Sequence, residues 1–385
     1  MKIVHICLCG PYTDNWNYQE NMITKYQAKQ GHEVTLIAPQ WAWGGNGKIT
    51  KEYQSNYLNH DGVKIIRLPI KGDKDVMNKF KRYEGLIKVI ESEKPDVLFI
   101  HNVQFLDVVL IARYVKKNPA IKVFVDNHAD FSNSARNWIA KHILYGILWK
   151  WCAHQILPYT RKFFGVTPSR LDFIKDIYKI PAQKAELLVM GADDEMVRSS
   201  SSNEVISEIR SAYGIGAEDF LIITGGKIDA FKTQTILLME AVKRISEERV
   251  KLIIFGSVDP ELMDQVRNLC DGKRIQYIGW ISSQDSYKYF AAADLVVFPG
   301  RHSVFWEQVV GMGIPMVCKY WDGTTHVDIG GNVEFLYEDS IEEIEGKLVP
   351  IINDKRKYEL MKKVAMEHGM KVFSYNDISI RSINL

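Results

Sequence analysis

The 385-residue sequence has few cysteines, no excess of either charge and no long apolar run. Its five cysteines are scattered without CxxC or Cys/His spacing, which argues against structural zinc. The 49 basic and 47 acidic residues leave a net charge of +2, so no overall field favours a nucleic-acid partner. No stretch approaches the roughly 18 uninterrupted apolar residues of a membrane-spanning helix. Sparse cysteines and no signal peptide favour a cytoplasmic protein.

The loop after the first predicted strand also lacks the GxGxxG pattern of nicotinamide-binding domains. That strand begins at residue 2 and is followed by the polar loop GPYTDNWN, residues 10–17. A helix over 18–30 and a strand over 32–38 complete a βαβ unit. A dinucleotide-binding domain here is therefore disfavoured, although the unit itself is of the α/β type.

Apolar runs and helical spacing alternate through both halves of the chain. Four serines within 198–203 lack apolar periodicity and are interpreted as an exposed link. The pattern predicts two doubly wound α/β domains, residues 1–197 and 204–371, facing each other across a cleft. Further strands are predicted at 63–68, 96–100, 122–126, 165–168, 186–190, 220–224, 251–255, 275–278, 295–298 and 315–318. Further helices are predicted at 78–93, 107–117, 234–247, 260–269, 283–292 and 304–311.

Two glycines and two lysines lie on the turn between the strand 220–224 and the helix 234–247. The turn reads GGKIDAFKT, residues 225–233. Glycines let a backbone approach a phosphate, and the N-terminus of the following helix favours negative charge. Open α/β sheets bind ligands at this edge. The turn therefore favours a diphosphate site, while the alternative is a surface turn with solvated lysines.

An ordered set of short motifs resembles the retaining glycosyltransferases of family 4, which have the GT-B fold. The resemblance covers nearly the whole chain. Each motif is weak alone, and their common order is what carries the likeness. The motifs are MKIVHI (1–6), GHEVTLI (31–37), GAD (191–193), Gly226 and Lys227 with Lys232, FGS (255–257), YIGW (277–280), AADLVVFP (292–299), GIPMV (313–317) and FSY (373–375).

This resemblance implies transfer of a sugar from a nucleotide-diphosphate sugar, with UDP the expected nucleotide, to a hydroxyl group with retention. It implies neither a cofactor nor a metal, and no DxD stands at a strand end to require one. The acceptor would be a glycan or lipid-linked molecule of surface polysaccharide biosynthesis. The C-terminal segment 372–385 would pack back on the first domain. Two alternatives stay open: a GT-B sugar-nucleotide epimerase and a catalytically weak GT-B partner subunit.

The resemblance also assigns roles to individual residues. Lys227 and Lys232 would stabilise the departing diphosphate, and His128 would face the transferred sugar, although it could merely cap a strand. Glu307 or Gln308 would bind the ribose hydroxyls, although Glu307 could instead favour a helix N-terminus. The remaining donor-binding residues would be Gly225, Gly226, Gly256, Trp280, His302, Ser303 and Val304. The acceptor side would have Asp14, Tyr18, Glu20 and Asp130, for which surface roles are equally open.

The sequence departs from the family pattern in two loops. Counting back from Pro315, the two glutamates of the family signature fall on Gln308 and Gly300. The loop 300–303, GRHS, replaces the usual acidic loop, which leaves the donor sugar open. In the first loop, residues 12–19 replace the usual paired glycines, so acceptor contacts are expected to be unusual too.

The stretch 136–151 interleaves aromatic and apolar residues with Arg136, Lys141 and Lys150. Such a helix can lie at a membrane surface. The alternative, which we favour from the sequence, is a long core helix of the first domain. Both can hold together, because lipid-linked acceptors are common in the family that the chain resembles.

Overall fold

The computed structural model describes residues 1–44, 48–72, 80–131, 134–135, 137–230 and 232–384. The chain forms two compact units. The first comprises residues 1–190 and 375–385, and the second comprises residues 191–374. Among the described residues, none of the helices combines the length and the apolar character that a membrane span requires.

The first unit is built on an eight-stranded sheet with the order β10-β9-β8-β7-β1-β2-β6-β5. All neighbours are parallel except β5 and β6, while β3 and β4 form a separate antiparallel pair. The strand order reverses between β1 and β7, which is where doubly wound sheets bind ligands. The strands are β1 Lys2–Ile6, β2 Glu33–Pro39, β3 Trp41–Trp43, β4 Ile49–Lys51, β5 Asn56–Leu58, β6 Lys64–Leu68, β7 Val97–His101, β8 Lys122–Asn127, β9 Thr160–Gly165 and β10 Ala185–Leu187.

Helices cover this sheet, and its central strands are buried almost end to end. Strands covered on both faces favour continuous apolar runs such as VLFI at 97–100. The helices are α1 Gln19–Lys29, α2 Leu86–Glu93, α3 Val108–Lys117, a π-helical segment Ala140–Trp149 that continues as α4 Lys150–Ile156, and α5 Pro168–Asp176. The C-terminal helix of this unit packs on α1, where Gln30 Nε2 donates to Ser379 Oγ at 2.8 Å.

The second unit has a six-stranded, all-parallel sheet with the order β13-β12-β11-β14-β15-β16. The strands are β11 Phe220–Gly225, β12 Val250–Phe255, β13 Ile275–Tyr277, β14 Leu295–Phe298, β15 Met316–Lys319 and β16 Val333–Leu336. The helices are α6 Asp194–Ser200, α7 Asn203–Ala212, α8 Gln234–Arg244, α9 Met263–Leu269, α10 Asp285–Ala292, α11 Phe305–Gly311, α12 Ile341–Asn353 and α13 Lys355–Phe373. The C-terminal helix of the first unit, Tyr375–Arg381, is α14. Here the strand order reverses between β11 and β14.

The exposed serine link predicted at 198–203 is wrong. Asp193 accepts hydrogen bonds from the backbone at the start of α6, and Ser202 caps α7 in the same way. Ser200 is buried and donates to the carbonyl of Met196, one turn back. Serine hydroxyls can satisfy helix backbone groups, so a serine run ends one helix and begins the next. Gly191 to Val197, predicted in the first domain, belong to the second unit.

Two local predictions also differ from the structure. The strand predicted at 165–168 is the end of β9 followed by a helix start, because Thr167 caps α5 and Pro168 occupies its first position. The helix predicted at 78–93 begins only at Leu86, after Gly85 with a φ of 74°. Residues 78 and 79 lie outside the described residues, as does Arg136. The strand Val333–Leu336 was not predicted.

Candidate active site

The loops after β11 and β12 meet at the carboxyl edge of the second sheet, and β11 is one of the two strands at its reversal point. Gly226 N donates to Phe255 O at 3.1 Å, and Ile228 N donates to Ser257 O at 2.8 Å. Gly256 has a φ of 125°, and a Cβ on it would overlap the carbonyl oxygen of Gly226. Only glycine fits this approach. The structure therefore brings together the predicted Gly225, Gly226 and Gly256.

The two lysines of this loop differ in their partners. Lys227 Nζ lies 3.3 Å from both Asp229 Oδ2 and Asp259 Oδ1. Hydrogen bonds to these carboxylates raise the pKa of Lys227. Lys232 is half-buried and makes no ion pair within the described part of the chain; its backbone N donates to Asp229 O at 2.8 Å. Because α8 begins two residues later, Lys232 and a helix N-terminus lie at the same edge.

The loop after β14 approaches the start of α8. A Cβ on Gly300 would lie 3.3 Å from Gln234 Oε1, and Val304 is the N-cap of α11. Ser303 O accepts a hydrogen bond from Trp306 N at 3.0 Å, so the loop turns directly into the helix. The predicted residues Ser303 and Val304 therefore lie in the loop after β14, the strand next to β11. This loop is the neighbour of the β11 loop that carries Lys227 and Lys232, called the lysine loop below.

A buried carboxylate stands behind this loop. Glu307 is fully buried, and its Oε1 lies 2.9 Å from both His302 Nε2 and His326 Nε2. Burial alone would raise the pKa of Glu307, but the two histidines outweigh it and hold this pKa well below its usual range. Glu307 Oε2 has no hydrogen-bond partner in the described structure. Glu307 Oε1 is thus engaged in hydrogen bonds with two histidines. The contact with His326 was not predicted from the sequence.

Gln308 is also buried, and its Nε2 donates to Ser286 Oγ at 3.0 Å. Trp280, by contrast, is 74% exposed, in the loop after β13. It lines a surface cavity of about 500 Å³ together with Ile281, Tyr289 and Lys288. None of the glycines or lysines of the β11 loop lines this cavity. The ribose-binding role given to Glu307 or Gln308 and the donor contact given to Trp280 remain predictions.

In the first unit, His128 follows β8 at the carboxyl edge of the sheet. Its Nε2 lies 3.2 Å from Asp126 Oδ2, and its backbone N donates to Asn102 Oδ1 at 2.9 Å. Asn102 has a φ of 65° and lies directly after β7. The Asp126 carboxylate and the left-handed Asn102 thus hold His128 beside the β7 loop, and its side chain is 26% exposed.

The residues predicted on the acceptor side do not form one cluster, and each lies in a different local environment. Asp14 Oδ2 accepts from Tyr57 at 2.5 Å and pairs with the buried Arg67 at 3.5 Å. Asp130 pairs with Arg170 at 3.3 Å. Tyr18 is the N-cap of α1 and Glu20 lies in its first turn, where negative charge is favoured. Asp14 and Asp130 thus have structural partners, and an acceptor contact stays a prediction for all four residues.

Two groups in the described structure have the spacing of metal ligands. They are His101, Asp126 and His128, and His302, Glu307 and His326. In both, the carboxylate lies within hydrogen-bond distance of the two histidines. These contacts account for the clusters without a metal, whose expected absence remains a prediction.

Family comparisons match both units. A model described as Glycosyltransferase Family 4 matches residues 21–195, and one described as Glycosyl transferases group 1 matches residues 219–354. The chain is a family 4 glycosyltransferase. An uncharacterized glycosyltransferase of Methanocaldococcus jannaschii is 20% identical over an alignment of 230 residues, which covers 57% of this chain. The match spans only 58% of that relative's length.

Solved structures resemble this family 4 glycosyltransferase over nearly its whole length. HepE of Anabaena in complex with UDP has a TM-score of 0.68 at 14% identity and covers 99% of this chain and 98% of its own. Sucrose-phosphate synthase of Thermosynechococcus elongatus has a TM-score of 0.69 at 14% identity, with coverage of 98% and 96%. At this identity the likeness concerns the fold. The predicted GT-B fold, with two Rossmann-like domains, is confirmed.

Sequence reasoning did not predict several buried partners in this glycosyltransferase: His5, His101, Asp126 and His326. His5 lies inside an apolar strand and His101 ends one, and in the sequence neither polar residue had an assigned partner. His326 follows Glu307 by 19 residues. A polar residue within an apolar run could have indicated these contacts, since a buried polar group needs a hydrogen-bond partner.

Proposed function

We propose that this glycosyltransferase moves a sugar from a UDP-sugar to a hydroxyl of a glycan or lipid-linked acceptor, with retention and without a divalent metal. The lysine loop carries the proposal. Gly225 and Gly226 leave part of the backbone accessible at the carboxyl end of β11, a strand of the reversal point, where they pack on the buried Gly256. Lys232 lies beside the start of α8. Complexes of HepE with UDP and with UDP-glucose support a nucleotide-sugar donor.

The proposed chemistry begins with breakage of the bond between the anomeric carbon and the diphosphate oxygen. The acceptor oxygen attacks the same face, and its proton passes to the departing phosphate oxygen. Lys232 and the N-terminus of α8 stabilise the negative charge that grows on the diphosphate. Lys227 joins them once it leaves Asp229 and Asp259, and His128 contacts the transferred sugar.

A nucleotide-sugar screen tests this function directly. We expect one UDP-sugar to raise the thermal unfolding temperature, because a ligand that binds only the folded state stabilises it. The same donor should be turned over to UDP, with product anomeric configuration by NMR matching the donor and a rate unchanged by EDTA. Conversion to an epimer would instead support an epimerase. Binding without turnover against a panel of glycan and lipid-linked acceptors would support a partner subunit.

The segment Ala140–Trp149 with α4 supports a membrane-facing role in surface polysaccharide biosynthesis. Its inner side packs on the core through Trp149, Cys152 and Ile156. Its outer side exposes Ile139, Ile143, Ile147 and Trp151, each four residues apart, and Trp138. These exposed apolar residues form a stripe, and Lys141 and Lys150 belong to the same segment of the sequence. The core helix favoured from the sequence therefore has a second, apolar outer side, which suits a membrane interface at the cytoplasmic face.

Polar substitution of that stripe should release the protein from vesicles. We expect wild-type protein to co-sediment with vesicles containing anionic lipid, and Ile143→Ser with Ile147→Ser to bind at least about 10-fold more weakly, since each apolar side chain contributes about 1.5–3 kcal/mol when buried. Leu360→Ser, an exposed apolar residue of the second unit, should bind as wild type. Wild-type protein that stays in the supernatant would contradict the membrane contact.

A further inference from the structure

A continuous line of polar side chains crosses the core of the first unit from α14 to β8. Ser382, Gln27, His5, His101 and Asp126 form it, and all are buried. The distances are 3.0 Å from Gln27 Nε2 to Ser382 Oγ, 2.7 Å from His5 Nε2 to Gln27 Oε1, 3.0 Å from His5 Nδ1 to His101 Nε2, and 2.7 Å from His101 Nδ1 to Asp126 Oδ2. The same Asp126 oxygen lies 3.2 Å from His128 Nε2.

At each end of this line, the terminal side chain can only accept the hydrogen bond from its neighbour in the line. At one end, Ser382 Oγ donates its proton to the carbonyl of Ser379 at 2.6 Å. Its oxygen therefore accepts from the Gln27 amide nitrogen, which turns the Gln27 oxygen toward His5 and requires a proton on His5 Nε2. At the other end, the ionised Asp126 requires a proton on His101 Nδ1.

The hydrogen bond between the two rings then needs one more proton. Whichever ring supplies it already has a proton on its other nitrogen, so that ring is an imidazolium. One of the two histidine rings in the line is therefore positively charged. This follows from the two hydrogen-bond acceptors at the ends, which fix the orientations of the amide and the rings. A neutral His5–His101 pair would leave two lone pairs facing each other at 3.0 Å or leave Asp126 protonated.

The surroundings place this charge on His101. Burial lowers the pKa of His5 to about 3. Burial would also lower the pKa of His101, but the adjacent Asp126 reverses this effect, with a smaller contribution from Glu20, and raises it. The pKa of Asp126 stays below its usual range because its two histidines outweigh the effect of burial. The proton therefore lies on His101, paired with an ionised carboxylate.

We propose that His101 is a buried imidazolium and that, through Asp126, it is a positioning residue for His128. This step rests on the proposed sugar transfer. The positive charge of His101 offsets the negative charge of Asp126. The carboxylate therefore acts toward His128 as a hydrogen-bond acceptor, which keeps the proton of the His128 ring on Nε2. Asp126 Oδ1 also accepts from Asn102 N at 3.2 Å, and Asn102 holds the His128 backbone. The line thereby fixes both the ring and the backbone of His128.

Nitrogen-15 NMR of histidine-labelled wild-type protein tests the line without any turnover. At pH 8.5, exposed imidazoles are neutral, because their usual pKa is about 6.5. We expect one histidine with both ring nitrogens protonated, absent from the spectrum of His101→Gln, while His368→Gln, an exposed control, retains it. Wild-type protein with only neutral histidines would overturn the proposal. Stoichiometric metal in the purified protein that is lost in His101→Gln would also overturn it.

Kinetics test the positioning role. We expect His101→Gln to lower kcat by about 10- to 100-fold, as misplaced catalytic groups do, with a nearly unchanged KM for the donor. The NMR signal of His128 in this variant should depart from the Nε2-protonated form. Unchanged kcat and an unchanged His128 signal in folded protein would refute positioning. A wild-type protein without turnover would refute the proposed function, while the NMR result would still decide the imidazolium.

Discussion

Replacing Lys232 with alanine is expected to lower kcat by about 100- to 1,000-fold, the usual cost of removing one preorganised group from a developing negative charge. Lys232 stands at the carboxyl edge of β11, two residues before α8. Its effect should appear in kcat more than in KM, because the diphosphate charge grows as the sugar bond breaks. Single-turnover measurements with the donor found in the screen would separate this step from product release.

The loop should keep its shape in the Lys232→Ala variant. The backbone of residue 232, rather than the lysine side chain, makes the hydrogen bond to Asp229 O, and the glycine contacts with the β12 loop are unaffected. Lys243→Ala, at the exposed far end of α8, is the matched control and should keep wild-type turnover. Normal kcat in folded Lys232→Ala protein would remove the lysine loop from the mechanism.

Replacing Glu307 with glutamine is expected to destabilise the second unit by about 3 kcal/mol. The substitution keeps the shape but removes the charge from two charge-assisted hydrogen bonds, each worth about 1.5–3 kcal/mol. It also leaves an amide N–H at the position of Glu307 Oε2, which has no partner among the described residues. Urea unfolding followed by tryptophan fluorescence should show the loss, since Trp306 is buried beside His302.

The stability difference between wild type and Glu307→Gln should depend on pH. The folded-state pKa of Glu307 lies below its unfolded value, so the carboxylate stabilises the fold fully above the unfolded pKa of about 4.3. As pH falls below that value toward the folded pKa, the contribution is lost, because the unfolded state binds the proton first. The two unfolding midpoints should therefore converge in acid.

An exposed ion pair provides the control for Glu307. Glu342 contacts Arg244 at 2.7 Å, and both side chains are largely solvent-exposed. Water screens an exposed pair of this kind, so Glu342→Gln should unfold close to wild type. A Glu307→Gln variant as stable as Glu342→Gln across this pH range would show that the histidines do not hold a stabilising charge.

Local patterns in the sequence predicted most strands and the α/β class. Runs such as FLII at 220–223 and LVVF at 295–298 are apolar end to end, as buried parallel strands require. Two of the errors occurred where side chains form hydrogen bonds with the backbone at helix ends. Serines 199–202 satisfy helix carbonyls or cap α7, and Thr167 caps α5, so polar stretches predicted as a link or a strand end are helical.

The lysine loop was predictable because all of its determinants are local. A glycine pair, two lysines and the following helix lie within one strand–turn–helix unit, so their chemistry is visible in sequence order. The partner of Glu307 was only half predictable. His302 is only five residues away in the sequence, whereas His326 lies in the segment after β15 and reaches Glu307 only through the packing of α11.

The sequence by itself determined the alternation of strands and helices, the family, and the position of the lysine loop, because each follows from neighbouring residues. Tertiary structure alone decided which buried polar groups share protons. His5 and His101 are 96 residues apart, and their contact arises because β1 and β7 are neighbours at the reversal point of the first sheet. Strand order brings such groups together, and local sequence patterns do not contain it.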